Sequence, residues 1–253
     1  MIRYKQTHIS KSVVFFSNNF KEKYNLIDYF NPNEPNIFFG MYRDEDVAKL
    51  LSHNSNAVVI WCGSDAMKVD RIIDQINLSK NVKHISISSF VKNSLLKNGI
   101  ESTLIPIRPK KSLKKLTPRG DKIYFYHGTN SKNHWNFYGG EIVDQLKKLI
   151  PFEIVCTTKD AYDDNQLEKI YKDCFIGLRL TEHDGCSNTV CELGLMGRKC
   201  IHNGDIPNCI NYSNIDDIIS SIYKEYYNRN EDNEKIANDV FNYLNISDDW
   251  LYV

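Results

Sequence analysis

The segment of the sequence that decides the fold is Thr181–Gly197, which reads TEHDGCSNTVCELGLMG. It begins with a polar turn around Gly185 and continues into an apolar pattern that predicts a helix over Ser187–Met196. Apolar runs on both sides, at Cys174–Leu180 and Lys199–His202, predict buried strands. The segment is therefore expected to connect two strands of an α/β sheet through a turn and a helix.

The turn and the helix start have the features of a phosphate site. A helix N-terminus offers unpaired amides and the positive end of the helix dipole, and a glycine lets the backbone approach a ligand. Glu192 lies eight positions after Asp184, two turns into the helix, where its carboxylate can bind sugar hydroxyls. We therefore expect a nucleotide diphosphate that carries a sugar. The structural alternative is that Asp184 or Ser187 only caps the helix and Gly185 only makes a tight turn.

The composition is that of an ordinary globular protein with one large domain or two small ones. The chain has 253 residues, 42% hydrophobic and 25% charged, and its 32 basic and 32 acidic residues balance. A zero net charge gives no general attraction to nucleic acid or to a membrane surface. No apolar run approaches the length of a bilayer span, and the N-terminus is polar and lacks a secretory signal pattern. We expect no integral membrane segment.

The cysteines favour a reducing compartment. There are seven, an odd number, and no pair has C-x-x-C spacing. Because most lie in apolar runs, buried reduced thiols and a cytoplasmic location are expected, in the host cytoplasm if the source is a virus or phage. The alternative, a metal or redox site, is disfavoured because metal-ligand spacing is missing.

Short apolar runs alternate with helical patterns along the chain, which predicts parallel sheets with helices on both faces. Besides the two strands above, the predicted strands are Ser12–Ser17, Asn36–Gly40, Ala57–Cys62, Lys83–Ser88, Thr103–Ile107, Lys122–Tyr126 and Phe152–Cys156. Besides Ser187–Met196, the predicted helices are Asp44–Ser52, Ala66–Asn77, Ser89–Asn98, Gly140–Leu149, Asn165–Lys172 and Ile215–Asn228.

The best domain boundary is the segment 108–120, which contains two prolines, a glycine and little apolar sequence. The predicted fold class is α/β with two Rossmann-like lobes, residues 1–107 and 121–253, joined by this linker. Ligands of such folds bind beyond the carboxyl ends of the strands, so the cleft between the lobes is the expected site. The helices after Ile215 are expected to pack back on the first lobe.

A second candidate segment follows the strand Lys122–Tyr126. There a glycine turn at Gly128 and Thr129 leads to Lys132, so that the backbone can approach a phosphate and the lysine can neutralise its charge. Arg179, at the end of its strand, is a second candidate for neutralising the phosphate charge, either in place of Lys132 or together with it. The structural alternative for Lys132 is an ordinary surface lysine.

A third candidate segment is Trp61–Asp65, where an apolar strand ends in a glycine turn and an acid. The carboxyl end of a strand in the first lobe is expected to face the cleft. Asp65 is positioned to orient or deprotonate an acceptor hydroxyl. The structural alternative is that Asp65 caps the helix predicted at Ala66–Asn77.

These segments resemble the GT-B glycosyltransferases, in particular the retaining group 1 or family 4 type. The pattern there is an acid, a glycine turn, a second acid eight positions on, a Met-x-x-Gly-like helix end and a strand. Here it is matched from Asp184 to Ile201, with Asp184 in place of the usual glutamate and Lys199 where proline is common. The resemblance covers the second half well and the first half, including the Trp61–Asp65 turn, more loosely.

The resemblance implies a role for each candidate residue. Glu192 binds the ribose, the amides of Ser187, Asn188 and Thr189 meet the diphosphate, and Asp184 and Gly185 lie against the sugar. The implied catalytic residues are Asp65 and Asp184, and the acceptor side is formed by Trp61, Gly63 and Ser64. The implied donor-binding set is Gly128, Thr129, Lys132, Arg179, Gly185, Cys186, Ser187, Asn188, Thr189 and Glu192.

The absence of several catalytic and cofactor-binding motifs argues against some classes of enzyme. The sequence has no Gly-x-Gly-x-x-Gly, no Walker A motif, no Gly-x-Ser-x-Gly and no His-Glu-x-x-His. A dinucleotide oxidoreductase is disfavoured, and a reaction without metal or cofactor is expected. Seven Lys and Arg residues lie between Arg108 and Lys122, these two included. Basic linkers of this kind are usually just solvated, and the alternative is that these cations contact DNA phosphates.

The sequence thus predicts a glycosyltransferase that moves a sugar from a nucleotide-diphosphate sugar, UDP- rather than GDP-linked, to an acceptor hydroxyl. The acceptor is expected to be a glycan or a hydroxymethylated DNA base, and retention of the anomeric configuration is expected from the resemblance. Two alternatives stay open: a non-catalytic module that binds sugar nucleotides or glycans, and a GT-B-like nucleotide-sugar epimerase.

Overall fold

The computed structural model describes residues 2–79, 81–107, 115–158 and 161–252, except for the side chains at positions 15 and 16. The chain divides into two compact units, Met1–Ser112 with Leu244–Val253, and Leu113–Tyr243. Each unit is an α/β fold built on its own parallel sheet. The predicted fold class, two Rossmann-like lobes with parallel sheets, is confirmed. Residues 108–114 of the predicted linker lie outside the described residues.

The sheet of the first unit has the strand order β2-β1-β3-β4-β5-β6, and neighbouring strands are parallel. Its strands are β1 (Gln6–Ile9), β2 (Ile27–Asp28), β3 (Asn36–Phe39), β4 (Ala57–Trp61), β5 (Val82–Ser86) and β6 (Thr103–Leu104). Its helices are α1 (Ser17–Tyr24), α2 (Asp44–Leu51), α3 (Ser64–Met67), α4 (Ile73–Leu78) and α5 (Ser89–Leu96). Every residue of β3 and β4 is buried, as expected for central strands that are covered on both faces.

The first strand is the main error of the sequence prediction. The predicted strand Ser12–Ser17 is wrong, because Lys11–Phe16 forms a 3-10 helix that continues into α1. The true first strand, β1, was missed because it begins with the polar residues Gln6 and Thr7, both fully buried. The amide of Gln6 binds the backbone of a neighbouring loop, and the Thr7 hydroxyl donates to the Ile37 carbonyl at 2.9 Å. Backbone partners thus replace water for both side chains.

Other element predictions needed smaller corrections. The predicted helix Ala66–Asn77 is broken into α3, a 3-10 turn at Val69–Arg71 and α4, because Lys68 and Ile72 have non-helical backbone angles. The edge strand β2 and the helix α1 were not predicted. Each remaining predicted strand and helix of the first unit corresponds to an observed element, although several of them end earlier than expected.

The sheet of the second unit has the order β11-β10-β9-β7-β8, again with parallel neighbours. Its strands are β7 (Lys122–Tyr126), β8 (Ile154–Thr157), β9 (Cys174–Leu178), β10 (Lys199–Ile201) and β11 (Cys209–Ile210). The helices are α6 (Lys132–Phe137), α7 (Gly140–Leu149), α8 (Asp164–Asp173), α9 (Asn188–Leu195), α10 (Ile215–Tyr227) and α11 (Glu234–Leu244). Of these, β11, α6 and α11 were not among the predicted elements.

Helices cover the sheet of the second unit in two groups. Val143 and Leu146 of α7 and Ile218 and Ile222 of α10 share one buried cluster with the β7, β9 and β10 strands. Helices α8 and α9 contact β9 as a separate group. At Gly177 of β9 an added Cβ would lie 2.3 Å from the Leu193 side chain of α9, so this glycine sets the distance between helix and sheet.

We predict that Gly177→Ala lowers the free energy of unfolding by about 1–3 kcal/mol, because the new methyl group overlaps Leu193. Urea unfolding of the two proteins measures the difference. In a Leu193→Ala background the same substitution is expected to cost much less, since the overlapping side chain is gone. An equal cost in both backgrounds would contradict the packing argument.

The last residues of the chain belong to the first unit. The Tyr4 amide donates to the Leu251 carbonyl at 2.8 Å, and the Tyr24 and Trp250 rings pack edge to face with centroids 5.1 Å apart. Among the helices of the described ranges, none combines the length and apolar character that a bilayer crossing requires.

Candidate functional site

The strand order of the second unit defines where its ligand site is expected. In sequence order its strands run 2-1-3-4-5 across the sheet, and such sheets bind ligands at the carboxyl ends of the strands where the order reverses. That point lies between β7 and β9. The loop after β7 contains Gly128 and Thr129 and leads to Lys132, the first residue of α6, and the loop after β9 runs from Arg179 to α9. The topology therefore brings the two segments singled out in the sequence to neighbouring strand ends.

The loop after β7 is shaped by Gly128. Its φ of 73° lies in the left-handed region, and an added Cβ would lie 2.5 Å from the Tyr138 ring and 2.8 Å from Nδ1 of His134. The Thr129 amide donates to the same His134 Nδ1 at 3.1 Å. Ser131 caps α6 through the His134 amide, and Lys132, the first residue of that helix, is exposed. The loop is thus held close against α6.

Arg179 is a buried cation at the end of β9. Its Nε donates to Asp184 Oδ2 at 2.7 Å, and its guanidinium lies 4.5 Å from the Tyr138 ring centre and 5.3 Å from that of Tyr126. Burial alone would lower the pKa of Arg179, but the Asp184 carboxylate and Tyr138 outweigh it, so the pKa is raised. The backbone carbonyl of Arg179 is bound by Nδ1 of His202 at 2.9 Å. Arg179 is therefore a fixed, permanently charged group.

Tyr138 links the two loops. Its ring contacts the Arg179 guanidinium and lies against the space beside Gly128. Phe137, the residue before it, packs edge to face on His183 in the loop after β9, with ring centres 5.3 Å apart. The structure thus brings together Gly128, Arg179 and Asp184 of the predicted donor site.

The N-terminus of α9 is not capped by the side chain expected to cap it. Ser187 is the N-cap residue, but it makes no side-chain hydrogen bond to the first turn, and Asp184 is directed to Arg179. The helix-capping alternative for Ser187 is therefore wrong. The Oδ1 atom of Asn188 is buried without a hydrogen-bond partner among the described residues. The first turn of α9 thus carries amides that a side-chain cap does not satisfy.

Glu192 of α9 is a buried carboxylate inside the second unit. It is 3% exposed, and its Oε2 accepts a hydrogen bond from the Tyr171 hydroxyl at 3.0 Å. The Tyr171 ring packs edge to face on Tyr124, whose hydroxyl bonds Thr157 Oγ1 at 2.6 Å. Burial raises the pKa of both tyrosines, so they stay neutral. Contact between Glu192 and a ribose stays a prediction.

The Trp61–Asp65 turn lies in the first unit and has a strong structural role. Asp65 is 2% exposed, and its two oxygens accept hydrogen bonds from the amides of Met41, Cys62, Gly63 and Ala66 at 2.8–3.2 Å. Burial raises the pKa of Asp65, although these amides act to lower it. Asp65 therefore has a structural role, but it organises the turn from inside α3, whose N-cap residue is Gly63, and its contact with an acceptor stays a prediction.

The remaining acceptor-side candidates differ in exposure. Trp61 is fully buried and donates from Nε1 to His84 Nδ1 at 3.2 Å, and Gly63 is buried as well, whereas Ser64 is exposed. Burial lowers the pKa of His84 to about 4, so its ring is neutral at pH 7. Of this group, Ser64 is the residue whose side chain an acceptor can reach directly.

Sequence reasoning missed the loops at the order reversal of the first unit. There the sheet reverses between β1 and β3, so the loop 40–43 and the start of the 3-10 helix Lys11–Phe16 mark the expected ligand position. Arg43 Nε donates to the Ser12 hydroxyl at 3.4 Å, which joins the two loops. The predicted strand Asn36–Gly40 includes Gly40, but this glycine has a φ of 81° and follows β3, so it was a signal for the second loop.

A cavity of about 600 Å³ opens elsewhere in the first unit. Its lining includes Val58, Val82 and Thr103, which lie at or near the starts of β4, β5 and β6, together with Trp250. Ligand-binding loops follow the opposite ends of parallel strands. The cavity therefore does not coincide with the predicted acceptor residues at the end of β4.

The described part of the basic linker is partly used inside the second unit. Arg119 is buried, donates to the carbonyls of Asn228 and Arg229, and lies 3.5 Å from a Glu225 oxygen. Lys122 forms an ion pair with Glu153 at 3.1 Å. These two cations are committed to internal contacts. In the described ranges, no cluster of three or more His, Cys, Asp or Glu is arranged to hold a metal ion.

Comparison with protein-family models and with curated protein sequences gives no match. Among solved structures, sucrose-phosphate synthase from Thermosynechococcus elongatus matches with a TM-score of 0.62 and 11% identity, over 94% of this chain and 76% of its own. TarM matches with a TM-score of 0.51 and 13% identity, over 85% of this chain and 56% of its own.

A third match is the Glycosylation Associate Protein (Gap123) complex from Streptococcus agalactiae, with a TM-score of 0.51 and 10% identity, over 87% of this chain and 53% of that chain. This chain thus spans little more than half the length of the TarM and Gap123 chains. At these identities the similarity establishes a shared fold alone, α/β with two parallel sheets.

We predict that Asp65→Asn lowers the free energy of unfolding by about 2–4 kcal/mol, because an amide nitrogen cannot accept the backbone N–H bonds that the lost oxygen accepted. Guanidinium unfolding measures the change, and Asp70→Asn, at an exposed neighbouring position, is the matched control with little expected effect. Unchanged stability of Asp65→Asn would contradict the structural role.

Proposed function

We propose that this chain is a glycosyltransferase that moves a sugar from a nucleotide-diphosphate sugar, UDP- rather than GDP-linked, to an acceptor hydroxyl. The observation that carries the proposal is the uncapped start of α9 at the order reversal of the second sheet, three residues after the Asp184 that binds Arg179. The shared fold with sucrose-phosphate synthase, an enzyme whose name gives a sugar phosphate as its product, supports a reaction on sugars.

The chemistry of the site suits a departing diphosphate. Negative charge develops on the leaving oxygens, and fixed amides and cations that face them lower the barrier. The amides of Ser187, Asn188 and Thr189 supply the helix end, and Lys132 starts the neighbouring helix α6. The bond to Asp184 uses Nε of Arg179, so its two terminal nitrogens can donate to phosphate oxygens. In this proposal Asp184 holds Arg179 in place and lies beside the sugar.

The proposal extends to stereochemistry and acceptor. The spacing from Asp184 to Glu192 resembles the retaining group, so the product keeps the donor's anomeric configuration, and the reaction needs no metal or cofactor. The acceptor is a glycan or a hydroxymethylated DNA base. The internal contacts of Arg119 and Lys122 favour the glycan over DNA, because these cations do not remain available for phosphate.

A second candidate function is a module that binds sugar nucleotides without turnover. The observation that favours it is that all three candidate acids are engaged internally: Asp65 by backbone amides, Asp184 by Arg179 and Glu192 by Tyr171. A bound donor that is neither hydrolysed nor transferred would identify this function.

We predict that UDP raises the melting temperature, since a ligand at 100 times its Kd adds about 2.7 kcal/mol of stability. Arg179→Gln should weaken UDP binding by about 10–100-fold through the loss of charged hydrogen bonds to phosphate. The matched control is Lys148→Gln, which removes an exposed cation at the end of α7. No stabilisation of the unmodified protein by any of UDP, GDP, CMP or ADP and their sugars would end the proposal.

Product analysis tests the reaction itself. With a UDP-sugar donor and a glycan acceptor, proton NMR of the first-formed product is expected to show the same anomer as the donor. The opposite anomer would contradict only the predicted retention of configuration, and the proposed sugar transfer would stand. An isomerised nucleotide sugar in place of a transfer product would indicate an epimerase and overturn the glycosyltransferase.

A further inference from the structure

Two cysteines face each other at the start of α9. The Sγ atoms of Cys186 and Cys191 are 3.7 Å apart, and neither thiol is in a disulfide. Cys186 is the residue before the N-cap Ser187, and Cys191 is the fourth residue of the helix. Side chains at these two positions commonly pack together and fix the angle at which the chain enters a helix. The contact therefore follows from the geometry of the helix start.

The two thiols differ in access. Cys186 is half-buried in the loop, whereas Cys191 is fully buried on α9. An oxidant from solvent therefore reaches Cys186 first. Cys191 contacts Cys186 and is placed to act as the resolving thiol, which attacks the oxidised sulfur. An accessible cysteine next to a resolving one is the usual arrangement of a redox-sensitive pair.

We propose that Cys186 and Cys191 form a redox-active dithiol that a peroxide converts to a disulfide. The Cys186 thiolate attacks the peroxide, the O–O bond breaks, and a sulfenic acid and one water form. The Cys191 sulfur then attacks the sulfenic sulfur, the S–O bond breaks, and the S–S bond forms with release of a second water. The two thiols lose two electrons and two protons in total, and hydrogen peroxide is reduced to two waters. A dithiol reductant reverses the change.

The disulfide acts on the donor site, and this part rests on the proposed function. An S–S bond of about 2.05 Å requires the two sulfurs to approach by roughly 1.7 Å. The residues enclosed by the new ring, Ser187–Val190, include the three amides proposed to meet the diphosphate. Asp184, which holds Arg179, lies two residues before Cys186. Oxidation therefore shifts both the amides and the arginine anchor, and lowers affinity for the donor.

Mass spectrometry tests the disulfide without reference to function. Cleavage after Arg179 and Arg198 gives the tryptic peptide 180–198, which contains Cys186 and Cys191 and no other cysteine. After peroxide treatment of the full chain and a digest without reductant, this peptide is expected to lose the mass of two hydrogens and to regain it with dithiothreitol. A peptide of unchanged mass, or one that carries only added oxygen, would overturn the proposal. Cys191→Ser should give no such loss, whereas Cys156→Ser should keep it.

Calorimetry with UDP tests the effect on the site. The affinity of the reduced protein is expected to exceed that of the peroxide-treated protein by roughly tenfold or more, because phosphate groups need their amides within a fraction of an ångström. In Cys186→Ser the ratio of the two affinities should fall to near one. A disulfide that leaves UDP affinity unchanged would overturn the regulatory part. If the reduced protein binds no UDP, the proposed function and its regulation both fail, while the peptide mass still decides the disulfide.

Discussion

The ion pair between Arg179 and Asp184 is the interaction on which the candidate site depends. It closes the loop that leads from β9 to α9, and it holds the guanidinium against Tyr138, whose ring also packs beside Gly128. Both partners are largely buried, with side chains 10% and 17% exposed. A pair of this kind adds little net stability, because desolvation offsets the attraction, but removal of one partner leaves a costly unpaired charge. Its main effect is to fix the geometry of the two loops.

The packing of the second unit brings this pair to the end of the sheet. Gly177 lets α9 approach β9 closely, and Glu192 of α9 is then held by Tyr171 of α8 inside the unit. These contacts fix the position of α9 relative to the strand ends. The Ser187 side chain does not hydrogen-bond the first amides of the helix. Cys186 and Cys191 stabilise the same helix start through their contact. The fold of the second unit, the proposed phosphate site and the proposed dithiol chemistry thus all involve one strand–turn–helix connection.

Much of this connection was predictable, since apolar periodicity and turn residues are local signals. Strand Lys122–Tyr126 and helix Gly140–Leu149 were predicted with the observed limits, and the helix after Ser187 to within a residue at each end. The failures needed knowledge of partners far away in sequence. Gln6 is polar yet fully buried because a loop near Asn31 satisfies its amide. For Asp65 the sequence left an acceptor role and a structural role open, and it gave no sign that the distant Met41 amide binds this carboxylate. Nothing local distinguishes these cases.

The most direct test of the central claim is the amide NMR spectrum of the ¹⁵N-labelled protein during a titration with UDP. We predict that the Ser187, Asn188 and Thr189 amide resonances shift together, with one common Kd, because their N–H groups bind the diphosphate. Gly128 and Thr129 should shift along the same curve, since their loop adjoins the same site. Saturable binding that leaves the three α9 amides unshifted would contradict the account.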